Sequence, residues 1–373
     1  MDIEGKGPSN DGEIKIAEPA IPVWKRRLGF FVRYLLPVVF TVLLLWALFK
    51  RVNFRQMMHL LEHGVDYWWI LLAMGLSIFS HIFRAARWKL QLTALDIRPP
   101  FMALCCSIFG CYALNLVFPR LGEIWRCSYI SSRQKASFSA VFGSVVGDRI
   151  ADTIMVGLLL VLALIVAAPA IHVFLDRYPV GRDFVNLLSQ FWFWCAFVGG
   201  VIILGLLFYL FRRSVFMRKI RGIAIDMWQG FTVILRMRGR IRFMFLTVCI
   251  WGCYFIQLYV AFYAFSFTRA LCHEPGLAAG LVPCLVAFVL SSISMAIPSN
   301  GGLGPWNIAI MFALAIYGVS DDEGTAFSML QWSGETVMLI ILGIYTMIYI
   351  SLSRKTVSAE VKMSVGSSQK ENR

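Results

Sequence analysis

Charged residues are scarce in this sequence. Asp, Glu, Lys and Arg make up 15% of its 373 residues, hydrophobic residues make up 59%, and the mean hydropathy is +0.71. A soluble globular domain carries about 25% charged and about 45–50% apolar residues. The shortage of charge excludes an ordinary soluble domain and predicts that lipid is the solvent for most of the chain.

Several patterns that carry chemistry are also missing. No Ser-His-Asp order or nucleophile elbow is present, and the glycines at 301–304 lack the Lys-Ser/Thr that a phosphate-binding loop needs. His59 and His63 fit an inverted zinc-protease pattern, but the sequence offers no obvious third ligand. The nine cysteines are odd in number and lie mostly in apolar runs, so we expect reduced thiols. We predict no enzymatic activity, no catalytic residue, no cofactor and no metal site.

The net charge of the chain is +14, which in a soluble protein would raise nucleic acid as a partner. Here the basic residues cluster at the ends of apolar runs, which indicates orientation in an anionic bilayer and no nucleic-acid partner. Loop 212–242 contains nine Lys and Arg residues and is predicted to be cytosolic, as are both termini. We predict a multi-pass protein of the bacterial cytoplasmic (inner) membrane.

Hydropathy divides the chain into three parts. Residues 1–22 and 353–373 are predicted to be disordered cytosolic tails, and residues 23–352 form one transmembrane domain. The predicted fold class is all-α, a polytopic membrane helix bundle of about six full spans plus two broken segments, or eight spans if these count. The predicted full spans are 29–49, 67–83, 138–168, 191–211, 243–267 and 326–352, with an interfacial stretch at 50–66.

Two apolar segments have flanks that belong on the same side of the membrane. Residues 84–100 and 120–137 both carry several Arg and Lys residues, so the segment between them is predicted to enter and leave on the cytosolic side. Segment 277–318 has flanks that we predict to be external, among them a solvated acidic loop at 321–323. It should therefore enter from outside and return. Each segment is predicted to be a re-entrant hairpin or a pair of short helices.

Helix-breaking residues interrupt both segments. Pro119 is followed by Gly122, and Pro298 is followed by glycines at 301–304. Irregular backbone at bilayer depth must be buried in protein or line a wet cavity. Interrupted segments at corresponding places in two halves of opposite orientation predict an inverted repeat with a transporter's binding site near the midplane.

Charged side chains inside the apolar segments are the candidates for function. A charge at the bilayer centre costs about 2.5–3.5 kcal/mol on insertion scales, so it persists when it is paired or functional. Asp148 and Asp152 lie four positions apart on one helix face, with Arg149 turned aside. One interpretation is a structural ion pair between helices, and the other is a polar cavity that receives a head group. The candidates are Glu123, Arg126, Asp148, Arg149, Asp152 and Glu335.

Arginines near the predicted breaks are suited to phosphate. Arg84, Arg87, Arg120 and Arg126 each offer a planar fork of N–H donors. A helix that begins just after a break would add free backbone N–H groups for an anion. The alternative is that these arginines only set the topology.

Four pieces of the sequence together resemble one family. They are Arg84-Ala-Ala-Arg87-Trp88, Asn115-Leu-Val-Phe-Pro119-Arg120-Leu-Gly122-Glu123-Ile-Trp-Arg126, Asp148-Arg149-Ile-Ala-Asp152 and Pro298-Ser-Asn-Gly301-Gly302-Leu-Gly304. Over about residues 25–352 the chain resembles the transmembrane region of lysylphosphatidylglycerol synthases and their stand-alone flippase-like relatives. The resemblance implies a lipid-translocating membrane module.

The resemblance also implies roles for single positions. Glu123, Arg126, Arg149 and Asp152 look like motif positions of the family. The family tends to have Glu where Asp148 stands, and an acid where this chain has Asn307 after its second glycine motif. We hypothesise that Glu335 supplies that acid instead.

These observations predict a transporter that moves a phospholipid or related anionic lipid between leaflets. Two alternatives stay open, a membrane enzyme acting on a phospholipid or polyprenyl-linked substrate, and an accessory subunit of a lipid-modifying synthase. A membrane lipid, anionic in character, is the expected partner, and a homo-oligomer or a separate lipid-modifying enzyme is left open. The predicted lipid-binding residues are Arg84, Arg87, Asn115, Pro119, Arg120, Gly122, Glu123, Arg126, Asp148, Arg149, Asp152, Pro298, Gly301, Gly302, Gly304 and Glu335.

Overall fold

The computed structural model describes residues 64–168 and 239–371, with a few isolated positions outside these ranges, and it describes side chains as far as Ser353. The predicted tail 1–22 and the predicted spans 29–49 and 191–211 lie outside the described residues. So do most of the interfacial stretch 50–66 and most of loop 212–242. The predictions for these segments, and for the tail 353–373, stay predictions.

The described residues form nine α-helices and no strand. Four helices are long and apolar enough to cross a membrane, which confirms a polytopic helical membrane protein. The helices are α1 (Tyr67–Ala94), α2 (Phe101–Val117), α3 (Leu121–Gln134), α4 (Phe138–Val166), α5 (Arg240–Ala261), α6 (Ser266–His273), α7 (Leu281–Ser294), α8 (Pro305–Ala315) and α9 (Asp321–Glu371). The four long ones are α1, α4, α5 and α9.

Helices α1 and α5 pack against each other along their length and run in opposite directions. At one end the backbone N–H of Asp66 donates to the carbonyl of Ala264 at 2.8 Å. Further along, the Arg87 side chain donates to Thr247 Oγ1 at 3.1 Å. The first span of each predicted half therefore has the opposite orientation to the other, as an inverted repeat requires.

Each broken segment is a pair of short helices. Helices α2 and α3 contain 17 and 14 residues, and α7 and α8 contain 14 and 11. At 1.5 Å per residue these are roughly 16–26 Å long, shorter than the ~30 Å hydrocarbon core. The two predicted helix pairs are confirmed.

The two hairpins exchange partners between the halves. Helix α2 of the first hairpin packs on α9, and helix α7 of the second hairpin packs on α4. Each hairpin thus lies against the last span of the opposite half. A two-fold relation between the halves produces this crossed packing, so the described helices have the arrangement that the inverted repeat predicts.

Two large apolar clusters fill most of the space between the helices, and a third, small cluster lies between α4 and α7. One, in the first half, includes Trp88, Leu104 and Ile130. The other lies mainly in the second half and contains Phe262 and Phe327, whose rings meet edge to face with centroids 5.4 Å apart. The hairpins are therefore anchored in packed protein and not in loose surface loops.

Two boundary predictions were wrong. Helix α1 continues to Ala94 instead of ending at 83, so Arg84 and Arg87 lie inside the helix and are buried. They do not flank the span, because acids on α4 neutralise them within the bundle. The acidic residues 321–323 form the first turn of α9 and not a loop. Ser320 and Glu323 close a reciprocal cap there, with Ser320 N–H donating to Glu323 Oε2 at 3.1 Å.

Candidate functional site

One face of α1 carries a line of buried polar side chains. Ser77, His81, Arg84, Trp88 and Gln91 recur at helical spacing, and each is at most 3% exposed. Side chains three or four positions apart lie on the same helix face. The line faces α4 of its own half and α5 and α9 of the other half, so α1 makes polar contacts over several turns both within its half and across to the second half.

A buried ion network joins α1 to α4. The Asp152 carboxylate is paired with two arginines. Arg84 Nη1 lies 2.9 Å from its Oδ2, and Arg87 Nη1 lies 2.9 Å from its Oδ1. Arg87 Nε lies 3.1 Å from Asp148 Oδ1, and Gln91 donates to the same oxygen at 3.1 Å. The predicted helix face with Asp148 and Asp152 is present. Asp148 and Asp152 thus form ion pairs with arginines of the neighbouring helix, and a lipid-binding role for these residues stays a prediction.

Helix α5 completes this network from the second half. Arg84 Nη2 donates to the Tyr254 hydroxyl at 3.2 Å, and Trp251 Nε1 lies 3.5 Å from Asp152 Oδ1. Sequence reasoning missed both aromatic residues. The ion network thus lies where α1, α4 and α5 meet.

Arg126 is buried without an acidic partner among the described residues. Only 1% of it is exposed, and neither its Nε nor its Nη2 has a hydrogen-bond partner there. Its guanidinium carbon lies 4.8 Å from the centroid of the Trp88 ring. A cation–π contact of this kind stabilises a desolvated Arg by about 2 kcal/mol, which leaves its positive charge uncancelled.

The buried formal charges do not sum to zero. Within the described ranges, the Arg, Lys, Asp and Glu residues that are at most 7% exposed as whole residues comprise three arginines and two aspartates. They are Arg84, Arg87, Arg126, Asp148 and Asp152. One positive charge is therefore in excess inside the bundle, where weak dielectric screening lets it act over several ångströms.

The turn of the first hairpin is held by side-chain hydrogen bonds. Asn115 Oδ1 accepts from the Gly122 N–H at 2.8 Å, and Asn115 Nδ2 donates to Glu123 at 3.3 Å. Arg149 Nη2 donates to Glu123 Oε1 at 2.6 Å. A Cβ on Gly122 would lie 2.0 Å from the Cys111 carbonyl oxygen, so only glycine allows α3 to approach α2 this closely.

The turn of the second hairpin is built on glycine. Gly301, Gly302 and Gly304 have φ values of 58°, 80° and 93°, which L side chains rarely adopt. Asn307, which is fully buried, accepts from the Gly304 N–H at 3.0 Å through Oδ1. The residue that stands where the family tends to have an acid therefore caps α8 in this chain.

Both turns lie near the middle of the long spans. Arg149, which holds the first turn, is eleven residues beyond Phe138 at the start of α4. Trp332, whose Nε1 donates to the Gly301 carbonyl at 2.9 Å, is eleven residues beyond Asp321 at the start of α9. At 1.5 Å per residue each is about 16 Å from its helix end, roughly half of a ~30 Å hydrocarbon core.

The two turns touch each other. Arg120 Nη2 donates to the Ala296 carbonyl at 2.8 Å, and Asn300 Nδ2 donates to the Val117 carbonyl at 3.3 Å. Arg120, Val117 and Ala296 are nevertheless exposed, so open space adjoins the contact. Helix α3 begins at Leu121, next to Arg120, and α8 begins at Pro305, after the turn that contains Asn300, so the positive ends of two half-helices belong to the two turns that touch. We call this contact the hairpin junction.

Glu335 lies apart from the ion network, between α1, α5 and α9. It accepts from Ser77 Oγ and from Gln257 Nε2, both at 2.8 Å. His81 Nε2 lies 3.9 Å from its Oε1. Its side chain is 28% exposed, and no Arg or Lys among the described residues forms an ion pair with it. The two halves of the chain both contribute to this acid site.

The predicted site residues thus fall into three neighbouring groups. The first group is the ion network with Arg126, and the third is Glu335. The role of all three groups in binding lipid stays a prediction. The spacing of polar residues on α1 could have revealed Ser77, His81 and Gln91, whereas Gln257 carries no local signal. The second group, at the hairpin junction and its supports, contains Asn115, Pro119, Arg120, Gly122, Glu123, Arg149, Pro298, Gly301, Gly302 and Gly304.

Among the described residues, no group of three His, Cys, Asp or Glu side chains is placed to hold a metal ion. The zinc-protease-like segment 59–63 lies mostly outside them.

One protein-family model matches residues 34–343, and the family is described as the lysylphosphatidylglycerol synthase TM region. The match includes both hairpins, the ion network and Glu335, and it is the family that the four sequence pieces resemble. No curated protein and no solved structure matches the chain significantly.

Proposed function

Since this chain belongs to the family of the lysylphosphatidylglycerol synthase transmembrane region, we propose that it moves a phospholipid or related anionic lipid between the two leaflets of its membrane. Family membership makes it a multi-pass membrane protein of lipid modification or transport. The observation that carries the more specific proposal is the hairpin junction, where the broken segments of the two halves touch near the middle of the long spans. We further propose the bacterial cytoplasmic membrane as its location, with both termini in the cytosol.

The hairpin junction has the features of a transporter's central site. Binding sites in inverted-repeat transporters lie near the midplane, where discontinuous helices expose their N-termini to anionic groups. Irregular backbone is tolerated at that depth only beside protein or a wet cavity. The exposed side chain of Arg120 at the junction supports a wet cavity.

An anionic head group has an accessible partner in Arg149. The Arg149 side chain is 42% exposed and that of Glu123 is 19% exposed, although the two are paired. A lipid phosphate can replace the Glu123 carboxylate on the guanidinium because both anions fit the same N–H fork. The uncancelled charge near Arg126 and the N-termini of α3 and α8 favour that replacement.

The head group would cross through this polar space while the acyl tails stay in lipid. Several large apolar side chains on α4 face outward, among them Ile154, Leu158 and Ile165, each at least 61% exposed. A surface of this kind is compatible with hydrocarbon beside the polar path.

A leaflet-resolved assay tests the proposal. Purified protein is placed in liposomes with tail-labelled fluorescent phosphatidylglycerol, and an impermeant reductant bleaches the label in the outer leaflet. We expect the unsubstituted protein to bring the labelled lipid of the inner leaflet to the outer leaflet, where the reductant bleaches it. Arg149→Gln should slow this at least about tenfold, since a charge-assisted hydrogen bond contributes about 1.5–3 kcal/mol. The matched control is Arg98→Gln, the same change at an arginine whose side chain is 76% exposed, and Glu274→Gln, at an exposed loop position, is a second control. Inner-leaflet label that stays protected, or a lipid product of new mass, would contradict the proposal, and the latter would indicate an enzyme.

A further inference from the structure

Glu335 is a carboxylate whose hydrogen-bond donors are both neutral. Ser77 supplies a hydroxyl and Gln257 an amide, and no basic Arg or Lys side chain forms an ion pair with it in the described part of the chain. Away from bulk water an ionised carboxylate without a cation is costly, whereas the protonated form is not. The 28% exposure of its side chain lets water deliver or remove a proton.

His81 stands beside this acid with unused hydrogen-bonding capacity. It is 3% exposed, and neither of its ring nitrogens has a hydrogen-bond partner among the described residues. Its Nε2 is 3.9 Å from Glu335 Oε1, so a small movement or one bridging water would connect them. The ring is held by Tyr112, with centroids 4.8 Å apart. In that arrangement the neutral imidazole can accept a hydrogen bond from the protonated form of Glu335.

The state of Glu335 decides the formal charge of the core. The five buried Arg and Asp residues carry one excess positive charge, and Arg149 and Glu123 cancel each other. An ionised Glu335 would cancel the excess, and a protonated Glu335 would leave it in place. Helix α1 connects the two sites directly, because His81 and Arg84 are one turn apart.

We propose that Glu335 and His81 form a proton-binding site that couples proton movement to the lipid movement proposed above, on which this inference rests. The Glu335 carboxylate takes one proton from water on one side of the membrane, forming an O–H bond. The core then keeps its positive charge and binds an anionic head group. When the head group leaves, the O–H bond breaks and the proton passes to water on the other side.

The helices packed around Glu335 carry few other titratable or charged side chains close to it. On α1 they are His81 and Arg84, on α2 the Tyr112 ring that packs on His81, and on α5 the hydroxyl of Tyr254, which Arg84 holds. Helix α8, which packs on α9, contains no titratable side chain. Asp152, the other nearby carboxylate, is already paired with Arg84 and Arg87. We therefore assign the proton to Glu335.

The test measures the rate of fluorescent phosphatidylglycerol movement between about pH 5 and pH 8. We expect the unsubstituted protein to be faster at low pH, and Glu335→Gln to be independent of pH. Glu335→Asp, which retains an acid, should keep the pH dependence, and His81→Gln should shift its midpoint. Glu274→Gln should behave like the unsubstituted protein.

A second readout does not depend on transport. Acid titration followed by infrared difference spectroscopy should show a carboxylate of the unsubstituted protein becoming a carboxylic acid, and this signal should be missing in Glu335→Gln. Lipid movement at a rate independent of pH, with no such titration, would overturn the proton site and leave the proposed function intact. No lipid movement at any pH would instead overturn the proposed function. If Glu335→Gln fails to fold, Glu335→Asp and His81→Gln are used instead. Each should shift the midpoint of the infrared titration, and an unchanged midpoint in both would refute the proton site.

Discussion

Arg120 donates a 2.8 Å hydrogen bond to the carbonyl of Ala296, although 176 positions separate them in the chain. Each residue belongs to the turn of a different hairpin, and the hairpins come from opposite halves of an inverted arrangement. The contact places two sets of half-helix ends around one space near mid-depth. A site shared by both halves can be opened to either leaflet by a relative movement of the halves.

The first prediction concerns the close approach of α2 and α3. Gly122→Ala should prevent correct assembly of the first hairpin, because the new Cβ would lie 2.0 Å from the Cys111 carbonyl oxygen, a backbone atom that cannot move aside. Overpacking costs about 1–3 kcal/mol or more. The yield of monodisperse protein and its midpoint of thermal unfolding measure the effect. Gly75→Ala is the matched control, since no atom lies within 4 Å of its Cβ position, and equal behaviour of the two variants would contradict the packing.

The second prediction concerns the ion network. Asp152→Asn leaves Arg84 and Arg87 buried with one carboxylate fewer, and breaking a buried pair costs about 3–5 kcal/mol in the free energy of unfolding. Denaturant unfolding in detergent should detect this loss. Asp96→Asn makes the same chemical change at a side chain that is 91% exposed, and it should cost at most about 1 kcal/mol. A small effect of Asp152→Asn would mean that the network does not hold α1 to α4.

The hairpin breaks could be predicted from the sequence because their signals are local. Pro119 lies in the first break, and Pro298 and the glycines at 301–302 lie in the second, where such residues disfavour a continuous helix locally. The position of Asp148 and Asp152 on one helix face follows from their four-residue spacing alone. In these places the local pattern and the tertiary structure agree.

The end of α1 could not be predicted in the same way. Arg84 and Arg87 follow an apolar run, which is the usual mark of a cytosolic flank. They remain in the helix and inside the bundle because Asp148 and Asp152 arrive from α4. Such partners are brought together only by tertiary packing. Gln257 is likewise one polar residue in an apolar helix until it meets Glu335.

The third prediction concerns competition for Arg149. Glu123→Gln should tighten binding of short-chain phosphatidylglycerol by up to about tenfold, since the ligand phosphate no longer displaces a carboxylate from the guanidinium. Calorimetry in detergent measures the dissociation constant. Arg149→Gln should weaken the same binding. Weaker binding by Glu123→Gln would mean that Glu123 positions Arg149 and does not compete with the lipid.

The fourth prediction concerns the support of the second hairpin. Trp332→Phe removes the indole N–H that donates to the Gly301 carbonyl at 2.9 Å. A hydrogen bond of this kind contributes about 0.5–1.5 kcal/mol to the free energy of unfolding. Trp68→Phe changes a side chain that is 68% exposed, and it should leave the unfolding midpoint unchanged. An equal loss in both variants would show that the Gly301 contact does not stabilise the turn.

Head-group photolabelling tests the account most directly, because it reports where an anionic lipid binds. A phosphatidylglycerol analogue with a photoreactive head group is cross-linked to the protein in liposomes, and the labelled peptides are identified by mass spectrometry. Labels should appear at the hairpin junction, in the first turns of α3 and α8 and around Arg149, and Arg149→Gln should reduce them strongly. Labels confined to the outward face of α4 around Ile154 and Ile165, and unchanged by that substitution, would contradict a binding site between the two halves.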